Sequence, residues 1–336
     1  MKKLLVLGRD GILLTRPVPG QSQRFVPGAL TSLPRIAAEL DYEMVLVGRD
    51  ATPDWSMHEL MLDTLAGEGV HFDSVHVDAH DRPVGDLLRK YASNYDLENS
   101  VQFFDRADAA LADEVESALG CRRLTAGAPW TSVYKLLIEA DRLAVVKRAT
   151  AETKISAWLN LDGSGLAQNN TGLEFFNHML DQLAKHGGMD LRVEVDGDLE
   201  IDEHHTIEDT ALTLGQLFRE ALGKKAGIER YGFSGGYDLL MDDCTADVRV
   251  DFSGRPWLNW DVELHREHVG DMPTEMVEHF FKSFSDQAQC NLSIRAAGEN
   301  EHHKIESVFK AFARAIKMAK SRNLADMSLP TTKGAL

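Results

Sequence analysis

The stretch Glu203-His204-His205-Thr206-Ile207-Glu208 returns 98 residues later as Glu301-His302-His303-Lys304-Ile305-Glu306. A single histidine precedes each pair, by 26 residues in the first copy (His178) and by 23 in the second (His279). In both copies an acidic residue comes directly before the pair, and a glutamate follows the second histidine by three residues. A duplicated half-domain is the simplest explanation of this repeat.

The sequence around these motifs alternates strands and helices in the same order twice. Ile155–Leu161 and Leu191–Val195 alternate apolar and polar residues, as half-buried strands do, and each is followed by a helical segment. The helical pattern covers 209–222 after the first pair and 307–319 after the second. Because the order strand, helix, strand, helix begins again at Cys244, we predict an α+β domain of two similar sheet-and-helix halves.

The repeated histidines and glutamates have the chemistry of a divalent metal site. Transition metals favour imidazole ligands with a supporting carboxylate. On a helix Glu208 shares a face with His204 or His205, but the adjacent histidines point about 100° apart and cannot easily bind one ion together. We therefore predict two ions, each taking one histidine from each pair. The complete set of candidate ligands is His178, His204, His205, Glu208, His279, His302, His303 and Glu306.

Two plainer explanations of these histidines exist. They could lie on the surface of an acidic chain, or in the core with both ring nitrogens satisfied. For a single histidine either explanation would be the better one. The same pattern occurring twice disfavours both, and we predict a dinuclear centre with open positions for a substrate.

The first 145 residues follow a different pattern. Short apolar runs suited to buried parallel strands alternate with helical segments, which predicts an α/β domain with a mostly parallel sheet. A charged segment over 147–154 follows, and we place the domain boundary just before it, giving domains of 1–145 and 146–336. The predicted strands are Leu4–Leu7, Met44–Val47 and Val101–Phe104, and the predicted helices are Ala29–Leu40, Pro83–Tyr91 and Ala107–Leu119.

The composition of the 336 residues excludes several classes of function. A net charge of −17 disfavours binding to nucleic acid or to anionic membranes, although a small phosphorylated substrate needs only a local basic pocket. Three scattered cysteines, Cys121, Cys244 and Cys290, suggest neither a disulfide framework nor a thiolate zinc site, and they suit the cytoplasm. No apolar run is long enough to span a membrane.

Five segments of the carboxy-terminal region closely resemble the imidazoleglycerol-phosphate dehydratases of histidine biosynthesis. The resemblance extends over 146–336. It implies dehydration of imidazole-glycerol phosphate to imidazole-acetol phosphate, two Mn²⁺ per subunit held between neighbouring subunits, and a homo-oligomer of 24 subunits. The segments are Phe176–Gly188, Asp202–Thr210, Ser253–Pro256, Glu301–Ala313 and the terminal Leu329–Leu336.

The resemblance also implies roles for individual residues. Glu152 matches an acid that contacts substrate, and Gln182, one turn after His178, is expected to face the same site. Glu208 and Glu306 are expected to serve catalysis as well as metal binding. Glu174 and Asn177 depart from the family's pattern beside His178. The candidate phosphate contacts are Arg230, Arg255, Lys310, Thr332 and Lys333.

The amino-terminal region resembles, in outline, a histidinol-phosphate phosphatase of the haloacid dehalogenase superfamily, which some bacteria fuse to the dehydratase. Gly8 stands where that superfamily has its nucleophilic aspartate, so a phosphoenzyme cannot form there. Asp10 and Asp105 are retained. Val47, Arg82 and Asp108 depart from the expected pattern. We therefore expect a degenerate phosphatase site.

Three alternatives stay open at this point. The front region could be an unrelated α/β domain. The chain could be a bifunctional dehydratase and phosphatase, against which Gly8 argues. It could also be a metal-binding assembly without turnover, against which the intact Glu208, Glu306 and basic residues argue.

Overall fold

The computed structural model describes residues 2–49, 55–77, 83–124, 126–235, 238–334 and 336. Arg82 lies outside these residues. The chain divides into two compact units, Met1–Asp141 and Arg142–Leu336. Residues 143–145 pair with the first long strand of the second unit, which explains why the division falls slightly before residue 145.

The first unit contains a five-stranded parallel sheet in the order β3-β2-β1-β4-β5. All six residues of β1 are buried, as expected for a strand covered on both faces. The parallel sheet predicted for this region is therefore confirmed. Its elements are β1 (Lys3–Gly8), α1 (Ala29–Glu39), β2 (Tyr42–Val47), α2 (Trp55–Gly67), β3 (Phe72–His76), α3 (Val84–Leu88), β4 (Val101–Phe103), α4 (Ala109–Leu119), β5 (Arg122–Arg123) and α5 (Trp130–Ala140).

In its described residues the second unit contains two larger sheets, a short two-stranded sheet and four long helices. The first half consists of β6 (Leu143–Ala149), β7 (Thr153–Asn160), β8 (Ala167–Asn170), α6 (Glu174–Gly187), β9 (Asp190–Gly197) and α7 (His204–Leu222). The second half consists of β10 (Tyr231–Phe233), β11 (Leu239–Met241), β12 (Cys244–Asp251), β13 (Trp257–Val262), β14 (His268–Val269), β15 (Met272–Pro273), α8 (Glu275–Ala288), β16 (Asn291–Ala297) and α9 (Glu301–Ala319).

The two halves have the same sheet topology. Their strand orders are β6-β7-β9-β8 and β10-β12-β16-β13, with β11 also paired to β12. In each half the two central strands are antiparallel to one another, and the last strand of the order runs parallel to its neighbour. This correspondence agrees with the duplication expected from the histidine repeat.

Helix packing crosses the boundary between the halves. Helix α6 of the first half packs against α9 of the second, and α7 packs against α8. Phenylalanines fill the core between them, with Phe176 against Phe280 and Phe218 against Phe284. The single-histidine helix of each half is thereby brought beside the histidine-pair helix of the other half. None of the helices in the described residues has the length and apolar surface that a bilayer crossing requires.

Candidate functional site

Six of the eight histidines and glutamates of the repeat form two groups of three, each drawn from both halves of the second unit. His178 joins His302 and Glu306, and His279 joins His204 and Glu208. Within each group the ligand atoms lie within 4.8 Å of one another. This crossing follows from the helix packing, because α6 contacts α9 and α7 contacts α8.

In the first group the carboxylate of Glu306 lies between two imidazoles and a lysine. Its oxygens are 3.6 Å from His178 Nε2 and 3.5 Å from His302 Nε2. Lys310 Nζ is 2.9 Å from Glu306 Oε1. Burial by itself would raise the pKa of Glu306, but Lys310 and the two histidines outweigh it and lower that pKa. The carboxylate is therefore ionised, as a metal ligand must be.

In the second group Glu208 Oε2 is 3.1 Å from His204 Nε2 and 4.0 Å from His279 Nδ1. His279 Nδ1 is buried and has no hydrogen-bond partner among the described residues. A buried imidazole nitrogen normally has a partner, because leaving it unpaired is costly. A divalent ion held by these three side chains would supply that partner, so the residues fit a metal.

The second histidine of each pair points away from these groups. The two rings of a pair are nearly perpendicular, at 75° for His204 and His205 and 89° for His302 and His303. Each group therefore contains a histidine from only one pair within a single chain, whereas the sequence argument expects one from each pair. The angular separation of adjacent helical residues explains why the partner histidine turns elsewhere.

His205 and His303, named here the outer histidines, face carboxylates of nearby loops. His205 Nδ1 is 3.0 Å from Asp198 Oδ2, and this contact raises the pKa of the imidazole. His303 Nδ1 is 2.9 Å from Asp243 Oδ1. Backbone N–H groups of Asn300 and Glu299, together with His303, hold the pKa of Asp243 far below its usual range. The sequence analysis missed both aspartates.

The two candidate catalytic side chains lie beside different histidines. Gln182 Nε2 is 3.5 Å from both ring nitrogens of His178, and its Oε1 is 3.1 Å from His186 Nε2. Glu152 is half-exposed, with Oε1 3.8 Å from Nε2 of the outer histidine His205. The spacing of four residues between Gln182 and His186 could have indicated their contact.

Four of the five candidate phosphate contacts line one groove of about 840 Å³. Arg230 is held there in a left-handed backbone conformation, with φ 65°, and its guanidinium contacts Asp251 and the carbonyl oxygen of Pro330. Lys310 is not among the residues that line the groove and instead contacts Glu306. The residues of the groove from the candidate set are Arg230, Arg255, Thr332 and Lys333.

Asn177 and Glu174, which depart from the family's pattern beside His178, make hydrogen bonds near the start of α6. The side-chain oxygen of Asn177 accepts hydrogen bonds from the backbone N–H and the hydroxyl of Thr171, which closes the turn before α6. Glu174 is exposed, and its backbone N–H donates to Asp271. Neither contact removes His178 from its group.

In the first unit, arginine side chains contact Asp10, Asp105 and Asp108. Arg9 is buried, and its Nη2 lies 2.9 Å from Asp10 Oδ2. Arg16 contacts both Asp105, at 2.9 Å, and Asp108, at 2.6 Å. These three aspartates do not form a group of potential metal ligands in the part of the chain that the structure describes.

Several bacterial proteins match the whole chain. The histidine biosynthesis bifunctional protein HisB of Spirosoma linguale is 45% identical in an alignment of 390 positions that covers 100% of both chains. The protein chain belongs to the HisB family. The HisB proteins of Bacteroides fragilis and Stenotrophomonas maltophilia are 45% and 41% identical, again over the full length of both chains. The family model for imidazoleglycerol-phosphate dehydratase matches residues 171–316.

Two solved dehydratase structures also match. The imidazoleglycerol-phosphate dehydratase of Staphylococcus aureus N315 is 35% identical, covering 54% of this chain and 99% of its own, with a TM-score of 0.49. The enzyme of Pyrococcus furiosus, in complex with (S)-C348, is 28% identical, covering 57% of this chain and 100% of its own, with a TM-score of 0.48.

Membership of the HisB family, together with the matched dehydratase model, establishes the reaction class. The chain is a metal-dependent hydro-lyase of histidine biosynthesis that acts on a small phosphorylated substrate. The matched segment contains both ligand groups, from His178 to Glu306. The second unit, with its two mixed sheets, contains the segment that the dehydratase family model matches.

Proposed function

We propose that the chain dehydrates imidazole-glycerol phosphate to imidazole-acetol phosphate with two Mn²⁺ bound per subunit, through a domain of residues 146–336. The observation that carries the proposal is the pair of duplicated groups, each with two imidazoles and one carboxylate within 4.8 Å. Three protein ligands leave positions open for substrate on a six-coordinate ion. The unpartnered His279 Nδ1 supports metal binding at the second group.

The ligands divide between the ions by position. His178, His302 and Glu306 would hold one ion, and His204, His279 and Glu208 the other. The outer histidines, His205 and His303, would complete the coordination of ions held by neighbouring subunits. A homo-oligomer follows, and we propose 24 subunits. Its formation is supported by large apolar side chains on the second sheet, including Trp257 and Leu240, which are 68% and 74% exposed in the single chain.

The reaction needs help at a C–H bond that no neighbouring carbonyl acidifies. When bound, Mn²⁺ supplies Lewis acidity at the nitrogens of the substrate's imidazole ring. The proposed base is Glu152, whose Oε1 lies 3.8 Å from Nε2 of the outer histidine His205; it would remove the proton of the carbon next to the one that loses its hydroxyl. Gln182 can orient the substrate beside His178, where it has hydrogen-bonding capacity. The phosphate groove anchors the far end of the substrate.

The phosphate contacts give a first test. Arg255→Ala and Lys333→Ala are expected to raise KM about 10- to 100-fold, because each removes a charge-assisted contact worth about 1.5–3 kcal/mol. A smaller fall in kcat should accompany this, since anchoring also positions the reacting carbons. Steady-state kinetics would measure both, with Arg89→Ala as control because Arg89 is an exposed arginine of the first unit. Unchanged kinetics in both variants would mean that the groove is not the phosphate site.

For the first unit we propose a haloacid dehalogenase-like fold, residues 1–145, without phosphatase activity. Gly8 at the end of β1 has no side chain to attack a phosphate, and an added Cβ would lie 2.9 Å from Phe104. The contacts of Arg9 and Arg16 with the aspartates further support this, because guanidinium groups stand where a magnesium site would need free carboxylates. A second candidate is a bifunctional dehydratase and phosphatase, which the relatives' name, histidine biosynthesis bifunctional protein, favours.

The central experiment is a dehydratase assay on metal-free, full-length protein with and without added Mn²⁺. We expect formation of imidazole-acetol phosphate with Mn²⁺ and background rates without it. Metal content per subunit, measured on the same samples, should approach two. Equal rates in the absence of metal would overturn the proposal, and metal binding without turnover would favour a non-catalytic assembly.

A further inference from the structure

Each outer histidine is held at one ring nitrogen by a carboxylate from a loop. Asp198 Oδ1 and Oδ2 lie 3.3 Å and 3.0 Å from His205 Nδ1. Asp243 Oδ1 lies 2.9 Å from His303 Nδ1. The inner histidines His204 and His302 instead direct Nε2 toward the glutamate four residues later.

A carboxylate at Nδ1 determines what the other nitrogen can do. It accepts a hydrogen bond from Nδ1–H and thereby favours the tautomer with a free lone pair on Nε2. It also fixes the direction in which the ring points. A histidine held in this way is prepared to bind a metal through Nε2, and carboxylates in this position raise the basicity of the ligand.

The two halves reach this arrangement from different loops. Asp198 is the first residue after β9, and the corresponding residue after β16 is Gly298. A Cβ at Gly298 would lie 2.2 Å from Cys244 Sγ, so no side chain fits there. The second half instead uses Asp243, which directly precedes β12. A contact made twice by non-corresponding residues is not a simple remnant of the duplication.

The residue directly before β7 in the first half and the residue directly before β12 in the second half therefore contact different nitrogens of the outer histidine. In the second half Asp243 holds Nδ1 of the outer histidine. In the first half the corresponding residue is Glu152, directly before β7, and it lies on the Nε2 side of His205. Because Asp198 holds Nδ1 in the first half, the carboxylate of Glu152 is not needed for that contact.

We propose that Asp198 and Asp243 are positioning residues that present Nε2 of His205 and His303 to metal ions, and that Asp198 leaves Glu152 free to act on the substrate. The inference rests on the proposed metal centre and extends it to two residues outside the ligand set. Asp198 offers the cleaner test. Asp243 also accepts hydrogen bonds from the backbone N–H groups of Glu299 and Asn300 just before α9, so replacing it would disturb that segment as well.

The test uses full-length protein and Mn²⁺ alone. Equilibrium dialysis measures how tightly the ions bind, and light scattering measures the size of the assembly. In Asp198→Ala we expect one of the two ions per subunit to bind about 10- to 100-fold more weakly, with the other unchanged. Asp198→Asn should largely retain both, because the amide oxygen can still accept the Nδ1–H bond. Asp190→Ala is the matched control, since that carboxylate caps the backbone N–H groups of Ser164, Gly165 and Leu166 and touches neither metal group.

The possible outcomes separate this inference from the proposed function. If the unaltered protein binds no Mn²⁺, the proposed metal centre is wrong and the inference falls with it. If the unaltered protein binds two ions and Asp198→Ala binds both equally well, only the inference is wrong. An equal loss in Asp198→Ala and Asp198→Asn would also overturn it, because the hydrogen bond would then not be the cause. If Asp198→Ala does not fold, Asp198→Leu, which has a similar size and no acceptor, takes its place with the same expected result.

Discussion

Replacing His205 or His303 with alanine is expected to remove about half of the bound Mn²⁺ and to lower dehydratase turnover by about three powers of ten. The magnitude follows from the several kcal/mol of charge stabilisation that a metal provides to a reaction of this kind. Because each outer histidine points away from the metal group of its own chain, its loss should also weaken contacts between subunits. Assembly should shift toward smaller species in light scattering.

This prediction has a direct control and a clear contrary outcome. His71→Ala removes an exposed histidine of the first unit that belongs to neither ligand group, and it should change neither metal content nor assembly. His178→Ala should also lower metal content, and it should weaken assembly too, because in the proposed site the ion of that group is shared with an outer histidine of a neighbouring subunit. An outer-histidine variant with full metal content and full turnover would show that these histidines are not ligands.

The sequence was sufficient to find the candidate ligands because helical periodicity and duplication are both local patterns. His204 and Glu208 are four residues apart, and the structure places them 3.1 Å apart on α7. The sequence does not predict which histidine and which glutamate share a metal group. His178 contacts Glu306 of the other half because α6 packs against α9, and this is a tertiary contact between helices far apart in the chain.

Of the candidate phosphate contacts, the structure brings four together and leaves Lys310 apart from them. The closing segment and Arg255 were assigned together from family resemblance, and they line one groove. Lys310 was assigned with them, yet its ammonium group lies 2.9 Å from Glu306. The spacing of four residues on α9 could have indicated this ion pair.

The orienting aspartates had no signal in the sequence taken alone. Asp198 and Asp243 lie in loops at different offsets from the histidines they contact, so no repeated spacing links them. Their role depends on where each loop ends relative to a helix of the same half. Gly298 adds a steric reason, since it forces the second half to use a different residue from the first.

Histidinol phosphate is expected not to be hydrolysed above background by the full-length protein, with or without added Mg²⁺. A magnesium ion cannot replace the nucleophile that is missing at Gly8. The arginines give a second reason, because Arg16 already pairs with Asp105 and Asp108. Phosphate release measured over time, with the dehydratase activity of the same sample as a check on folding, would test this.

Restoring the carboxylate should not restore the activity. Gly8→Asp places a side chain against Phe104, whose Cδ1 would be 2.9 Å from the new Cβ, so either the ring moves or the strand end shifts. Even with that accommodated, Arg9 continues to neutralise Asp10, to which Gln23 also donates a hydrogen bond. The control is Asp10→Ala in the otherwise unaltered chain. Robust phosphate release that disappears in this control would show that Asp10 serves a working phosphatase site, and that the arginines move aside when substrate binds.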